Sequence, residues 1–409
     1  MKDISGGVCA PKGFKAGGIW CGIKASSKKR DLALIYSEKP CTAAAMFTTN
    51  RVKAASVLVS REHLADGKCQ AVIANSGNAN ACTGEAGIAA ARKMAQLAAD
   101  EFALKADNVA VASTGVIGVP FPIAAVDSSM SALASSIRGD EAGSEAALEA
   151  IMTTDTRKKA ASVELEIGGK AVRLGGMTKG SGMIHPNMAT MLCFVTTDAA
   201  ISRELLDKAL RRAVKCSFNR VTVDGDTSTN DTILVMANGE AANAPINTEG
   251  AEYELFAEAL EAVCIKLGRA MARDGEGATR LVTVTVRGAK DEEAAEVLAK
   301  SVAASSLVKA ACFGADANWG RVLCAMGYSG ADFDPDKTDV FFASVQGSIL
   351  VYKQGAPVPF SEEDAKKILL EEEIEINVEI AGGAGPGKVT AWGCDLTYDY
   401  VKINGDYRS

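Results

Sequence analysis

Two hydrophobic periodicities alternate along this chain and leave little choice of architecture. Apolar residues recur at every second position in Val163/Leu165/Ile167, Val282/Val284/Val286 and Ile374/Ile376/Val378/Ile380, the pattern of half-buried strands. They recur at every third or fourth position in Ile88, Ala91, Ala95, Ala98 and Phe102, and in Tyr253, Phe256, Leu260, Val263, Leu267 and Met271. That spacing predicts amphipathic helices. Ser202 before Arg203-Glu-Leu-Leu and Ser361 before Glu-Glu-Asp supply hydroxyls suited to N-caps. Helical stripes between alternating strands predict a layered α/β protein. At 409 residues and 48% hydrophobic, the chain can supply two or three core-forming units.

The bulk charge excludes some partners. A net charge of −7, with no basic stretch longer than Lys28-Lys29-Arg30, argues against nucleic acid and against an anionic membrane surface. No apolar run approaches the length of a membrane span, and Met1-Lys-Asp-Ile-Ser-Gly-Gly lacks the apolar core of a signal peptide. The 11 cysteines are scattered without a C-x-x-C pair, so reduced thiols in a cytoplasmic protein are expected rather than disulfides or a zinc site. With only 2 histidines, His63 and His185, a His-rich metal centre is not expected, and no metal is assigned.

The segment from Lys179 to Leu192 carries the chemistry. Gly180 and Gly182 permit backbone conformations closed to other residues, Pro186 fixes a bend, and Thr190 opens the apolar run Met191-Leu-Cys-Phe-Val195. Two readings of Thr190 stand side by side on these residues. It is either a β-branched residue starting a strand or a nucleophile that attacks the Ala189 carbonyl and becomes a new N-terminus. In the second case its freed α-amine, with a pKa of roughly 7.7–8.0, activates its own hydroxyl, and no histidine is needed. Ser113-Thr114-Gly115-Val-Ile-Gly118 is either a plain turn or a small-residue turn bringing a hydroxyl and an N–H to one point. The cluster Asp224, Asp226 and Asp231 lacks the glycine and distal glutamate of an EF-hand and is expected to be a hydrogen-bonded turn. His185 is expected to be a loop or packing residue.

The chain resembles the ornithine acetyltransferase (glutamate N-acetyltransferase) family, whose cleavage motif reads Ala-Thr-Met-Leu, as at Ala189 to Leu192. The likeness extends through Phe47-Thr-Thr-Asn-Arg-Val-Lys53, Asn75-Ser-Gly-Asn-Ala-Asn80, Ser113-Thr-Gly-Val-Ile-Gly118 and Met152-Thr-Thr-Asp-Thr156. It continues in Asn219-Arg-Val-Thr-Val-Asp-Gly-Asp226, Asp274-Gly-Glu-Gly277, Asp316-Ala-Asn-Trp-Gly-Arg321 and the tail from Tyr398.

The resemblance implies an αββα sandwich of the N-terminal-nucleophile type, self-cleaved into residues 1–189 and 190–409, which stay intertwined as one catalytic unit. Two copies of each fragment would form a heterotetramer. The implied activity moves acetyl from N2-acetylornithine to glutamate in arginine biosynthesis, by a ping-pong route through acetyl-Thr190. It needs no cofactor, and acetyl-CoA is left open as a second donor. The alternative is a self-processing threonine amidohydrolase or aminopeptidase, with water as acceptor. The resemblance makes Thr114 and Gly115 the oxyanion donors and assigns substrate binding to Thr153, Lys179, Thr190, Glu276, Asn404 and Ser409. Lys179 suits an α-carboxylate, and Glu276 suits the side-chain ammonium of ornithine and proton transfer to the leaving amine. Without the family match, Lys179 and Glu276 read as solvated loop charges. The tail is expected to dock through Tyr398, Tyr400 and Ile403, with Gly405 turning the chain so that Asn404 and Ser409 face one point.

Overall fold

The computed structural model describes residues 1–24, 27–185 and 191–405; Pro186, Ala189, Thr190 and Ser409 therefore lie outside the described residues. The strands run β1 (Lys2–Asp3), β2 (Phe14–Ile19), β3 (Leu32–Phe47), β4 (Lys68–Asn78), β5 (Val109–Val116), β6 (Lys159–Ile167), β7 (Lys170–Lys179), β8 (Leu192–Thr197), β9 (Thr232–Ala237), β10 (Leu281–Ala289), β11 (Thr338–Ser344), β12 (Gly347–Lys353), β13 (Ala356–Pro357), β14 (Glu373–Ile380) and β15 (Gly387–Cys394). The helices are α1 (Ala55–His63), α2 (Gly84–Glu101), α3 (Ile123–Ser136), α4 (Glu141–Ile151), α5 (Arg203–Cys216), α6 (Ala251–Arg273), α7 (Glu292–Ala304), α8 (Ser306–Phe313), α9 (Trp319–Gly327), α10 (Glu362–Leu369) and α11 (Tyr398–Asn404).

Among the described residues, β1 to β9 form one sheet in the order β1-β6-β7-β8-β9-β3-β4-β5, with β2 on β3. Strand β3 joins two leaves. Its first part, Leu32–Tyr36, pairs with β4, and its last part, Thr42–Phe47, pairs with β9. Because side chains alternate across a strand, each leaf has two apolar faces. Ala33, Ile35, Val72 and Ala110 from one leaf share a core with Leu192, Phe194, Leu234 and Met236 from the other. The outer face of the first leaf (Leu34, Ile73, Val111) is covered by Val59 of α1, Met94 of α2 and Met130 of α3. The outer face of the second (Val163, Cys193, Val195, Val235) is covered by Leu210 of α5 and Leu260 of α6. Helices, leaf, leaf and helices make the expected αββα sandwich. The predicted α6 stripe from Tyr253 to Met271 is buried throughout. Ser202 and Ser361 cap α5 and α10 by accepting from Leu205 N–H and Asp364 N–H.

A second sheet, β13-β12-β11-β14-β10-β15, follows with α7 to α10 around its own core, which includes Val284, Leu298, Val302, Phe342 and Ile376. Two of the alternating segments seen in the sequence, β10 and β14, lie here as a parallel pair rather than in the sandwich. Among the described residues no helix is long and apolar enough to cross a membrane. The tail differs from expectation. It closes as helix α11, Gly405 has an ordinary φ of −69°, and Tyr398 is 83% exposed. A helix of this length sheds one face to solvent, so Tyr398 cannot be an anchor, although its ring meets Phe313 edge-on.

Candidate active site

The site forms where the two leaves open at their ends: β5 and β7 finish there, and β8 and β9 begin there. Parallel pairing of β4 and β5 breaks at Gly77–Asn78, where Asn78 faces both Thr114 and Val116. Gly115 sits in that irregularity at φ +134°, and a Cβ on it would lie 2.3 Å from the Gly77 carbonyl carbon. Only glycine fits so close an approach. The turn therefore presents Thr114 and Gly115 beside a cavity lined also by Thr153, Lys179, Glu276 and Asn404. All six described residues singled out as site candidates thus face one space.

Lys179, the last residue of β7, is buried with its Nζ 3.3 Å from Thr114 Oγ1. Burial pushes its pKa down, and the Asp155 carboxylate opposes that shift. Asp155 accepts from Thr153 N–H (3.0 Å), Gly180 N–H (2.8 Å) and Lys159 Nζ (2.6 Å). Although burial alone would raise the Asp155 pKa, Lys179 and Lys159 together hold it well below the usual carboxylate range. Lys159 also donates to Asp274 at 2.5 Å, and Asp274 accepts from the Thr156 and Arg157 amides at 3.1 and 3.2 Å. This buried ion network fixes the loop carrying Thr153 against the loop carrying Glu276. Removing one member would strand a buried charge, a loss on the order of 3–5 kcal/mol.

Glu276 is 9% exposed, so it is not a solvated loop charge. Its N–H donates to the Ser181 carbonyl, while Thr154 Oγ1 donates to Oε1 at 2.6 Å and Asn404 Nδ2 donates to Oε2 at 2.8 Å. With the Thr154 proton so used, the Ser181 hydroxyl 2.6 Å away is the donor to Thr154. Lys179 offers a cation to a carboxylate and Glu276 an anion to an ammonium, so the cavity suits a zwitterionic amino acid.

The flanks of the segment 186–190 are held firmly. On one side Asp224 accepts from Met183 N–H (2.6 Å) and Ile184 N–H (2.8 Å), the hydrogen-bonded turn expected of that acidic cluster. His185, its pKa lowered by burial, sits with Nδ1 3.3 Å from Thr222 Oγ1. On the other side Met191 N–H donates to the buried Asp231 at 3.1 Å. Sequence reasoning missed Thr154, Ser181, Asp155, Lys159 and Asn230 as site members. The first and third stand inside the quoted Met152–Thr156 motif, whereas Asn230, which braces β5 through the Ser113 carbonyl at 2.8 Å, had no local signal.

Residues 15–409 match the model of the ArgJ family. The chain is 53% identical over 410 residues to the arginine biosynthesis bifunctional protein ArgJ of Symbiobacterium thermophilum, covering 100% of both. It is 51% identical over 409 residues to the protein of the same name from Caldanaerobacter subterraneus subsp. tengcongensis, again covering 100% of both. It is also similar to the crystal structure of the arginine biosynthesis bifunctional protein argJ from Bacillus halodurans: 46% identity, 52% of this chain, 97% of that chain and a TM-score of 0.49.

Proposed function

The chain belongs to the ArgJ family of arginine biosynthesis, and on that premise we propose that it carries acetyl from N2-acetylornithine to glutamate through an ester on Thr190. The observation that carries this reading is the convergence of Thr114, Gly115, Lys179, Glu276 and Asn404 on one cavity. These groups are the oxyanion donors, the carboxylate partner and the ammonium partner that acyl transfer between amino acids requires.

The Thr190 hydroxyl first attacks the Ala189 carbonyl. The Ala189–Thr190 peptide becomes an ester, water hydrolyses it, and the Thr190 α-amine is released as a base. In turnover that amine takes the hydroxyl proton as Oγ attacks the acetyl carbonyl of N2-acetylornithine. The developing oxyanion is met by Thr114 and the Gly115 N–H, a donor set whose loss costs about 3 kcal/mol per donor. The ornithine amine leaves with a proton, and acetyl remains on Thr190. Glutamate then enters the vacated cavity, its amine attacks the ester, and N-acetylglutamate departs. Lys179 holds the α-carboxylate of either amino acid, with Thr153 and Asn404 orienting it. Glu276 holds the ornithine ammonium and relays the proton to the leaving amine. Ser409 completes the amino-acid contacts. Two copies of each fragment assemble in the cytoplasm.

Isotope exchange tests the order of events. Labelled ornithine should exchange into N2-acetylornithine with no glutamate present, because an acetyl-enzyme needs no acceptor to form. Thr190→Ala should remain a single uncleaved chain and show no exchange. Exchange that requires glutamate would overturn the ester intermediate, and acetate release indifferent to glutamate would identify a hydrolase instead.

A further inference from the structure

Two of the family-like motifs, Phe47–Lys53 and Asn75–Asn80, supply no group to the proposed reaction, yet both converge on the turn that carries Thr114 and Gly115. Among the described residues β5 is the last strand of its sheet, with a partner strand on one side only. Its pairing with that partner, β4, becomes irregular at Gly77–Asn78, beside Thr114 and Gly115. Strand pairing alone therefore leaves the turn loosely held where the reaction needs fixed donors.

One buried side chain bridges the irregularity. Asn230 donates from Nδ2 to the Ala79 carbonyl at 2.6 Å, just past β4, and to the Ser113 carbonyl at 2.8 Å, just before Thr114. A carboxamide nitrogen carries two protons, and both are used on these carbonyls. Its Oδ1 accepts from Thr229 Oγ1, so the whole network agrees on which way the amide faces. Asn230 is itself fixed: its N–H donates to Ser228 Oγ at 3.1 Å, and its carbonyl accepts from Thr232 Oγ1 at 3.1 Å. The Phe47–Lys53 motif holds the same segment, through Thr48 Oγ1 on the Ser228 carbonyl at 2.6 Å and Asn50 Nδ2 on the Thr227 carbonyl at 2.9 Å. On the far side of the turn, Asn78 Nδ2 donates to the Val119 and Pro120 carbonyls at 3.3 and 3.2 Å. Asn230 thus holds the entry to the turn and Asn78 its exit.

Resting on the acetyl-transfer reading above, we infer that Asn230 is a positioning residue, which sets Thr114 and Gly115 for the oxyanion by tying the Ser113 and Ala79 carbonyls together. Opening of the 189–190 peptide and acetyl transfer both pass through a tetrahedral oxyanion, so a loosened turn slows both. The amino-acid contacts of Lys179 and Glu276 belong to other segments and are left in place by a change at Asn230. The effect therefore falls on turnover rather than on substrate binding.

The test compares Asn230→Ala and Asn230→Asp with wild type in the full-length protein, with circular dichroism to confirm the fold at the assay temperature. In N230A, kcat for transfer from N2-acetylornithine to glutamate should drop about 10- to 100-fold, part of the loss expected when an oxyanion donor is removed outright. KM should stay within about threefold, and uncleaved 42.4 kDa chain should accumulate and disappear only slowly on incubation. Aspartate keeps the shape of asparagine. Protonated, it offers the carbonyls one proton; ionised, it offers none and sets lone pairs against them. Burial beside two carbonyl oxygens raises its pKa, so acid restores part of what the substitution removes. The ratio of N230D to wild-type kcat should therefore fall at least about tenfold as the pH rises through that ionisation. A ratio that does not fall with pH, a loss carried by KM alone, or full-rate self-cleavage in N230A would each overturn the inference. So would an aspartate variant that fails to fold, since Asn230 would then serve the core and not the turn. A wild-type chain that neither cleaves itself nor transfers acetyl would instead strike the underlying reading, so the two failures are distinguishable.

Discussion

A Cβ on Gly182 would lie 2.3 Å from Glu276 Oε2 and 2.4 Å from its Cδ. The obstacle is the end of one flexible side chain, so Gly182→Ala should spare the backbone and displace the carboxylate from Thr154 and Asn404. The expected outcome is a melting temperature lowered by a few °C and a loss of acetyl transfer of about 10- to 100-fold, the range for mispositioning a proton-transfer group. Steady-state kinetics beside a melting curve checks this, and full activity in the alanine variant would remove Glu276 from the reaction. Residues of this kind mark the limit of what the sequence discloses. Lys179 and Glu276 look like loop charges in their own neighbourhoods, and nothing within several positions announces their burial. Their partners come from three other segments, Thr114 from one, Thr154 and Asp155 from another and Asn404 from a third. Lys159 is harder still. It opens an alternating strand, where a lysine is normally solvated, yet it bridges Asp155 and Asp274 at 1% side-chain exposure. Only the whole-chain family likeness singled out the Met152–Thr156 and Asp274–Gly277 segments that meet around it.

At the scale of elements, periodicity was a sound guide because it reports a local quantity, which face is buried. The strands β6, β10 and β14, the stripes of α2 and α6 and the caps at Ser202 and Ser361 follow from it directly. Partnership is not local, and so the bend of β3 between two leaves and the transfer of β10 and β14 to a separate sheet were hidden. The tail shows the same division. Its residues suggested docking, and Tyr400 does reach Asp224 at 3.3 Å, but the helical form of α11 decides which side chains point inward. Asn404 ends that helix with Nδ2 on Glu276 Oε2. A hydrogen bond to a charged group is worth about 1.5–3 kcal/mol. Deleting residues 404–409 should therefore lower acetyl transfer by at least about tenfold, while self-cleavage proceeds, since that step needs only the 189–190 peptide and its oxyanion donors. The two readouts are the band pattern on a denaturing gel and the rate of N-acetylglutamate formation. A truncated enzyme that cleaves normally and transfers at the full rate would show that Asn404 and the residues after it play no part in the site.

At the scale of the molecule, cleavage between 189 and 190 would cut through a shared core rather than between bodies. The first fragment contributes β1 to β7 and α1 to α4, and the second supplies β8 and β9 to the same sheet. Strand β8 pairs with β7 from Leu192 opposite Lys179 to Thr197 opposite Leu174, and β9 pairs with β3 from Thr232 to Ala237. The apolar layer between the leaves draws Ile35 and Val72 from one fragment and Phe194 and Leu234 from the other. The Asp155–Lys159–Asp274 network ties the two at the site itself. Separation would expose both leaves and leave unpaired strand edges, so neither fragment keeps its share of the sandwich folded alone. Scaling the 42.4 kDa chain by 189 of 409 residues gives fragments of roughly 20 and 23 kDa. They should co-elute as one species under native conditions, remain together after repeated washing of a tag placed on either one, and separate only in denaturant. N-terminal sequencing of the larger should begin at Thr190. Fragments that part without denaturant, the first retaining its secondary structure by circular dichroism, would contradict a sandwich completed by strands from both.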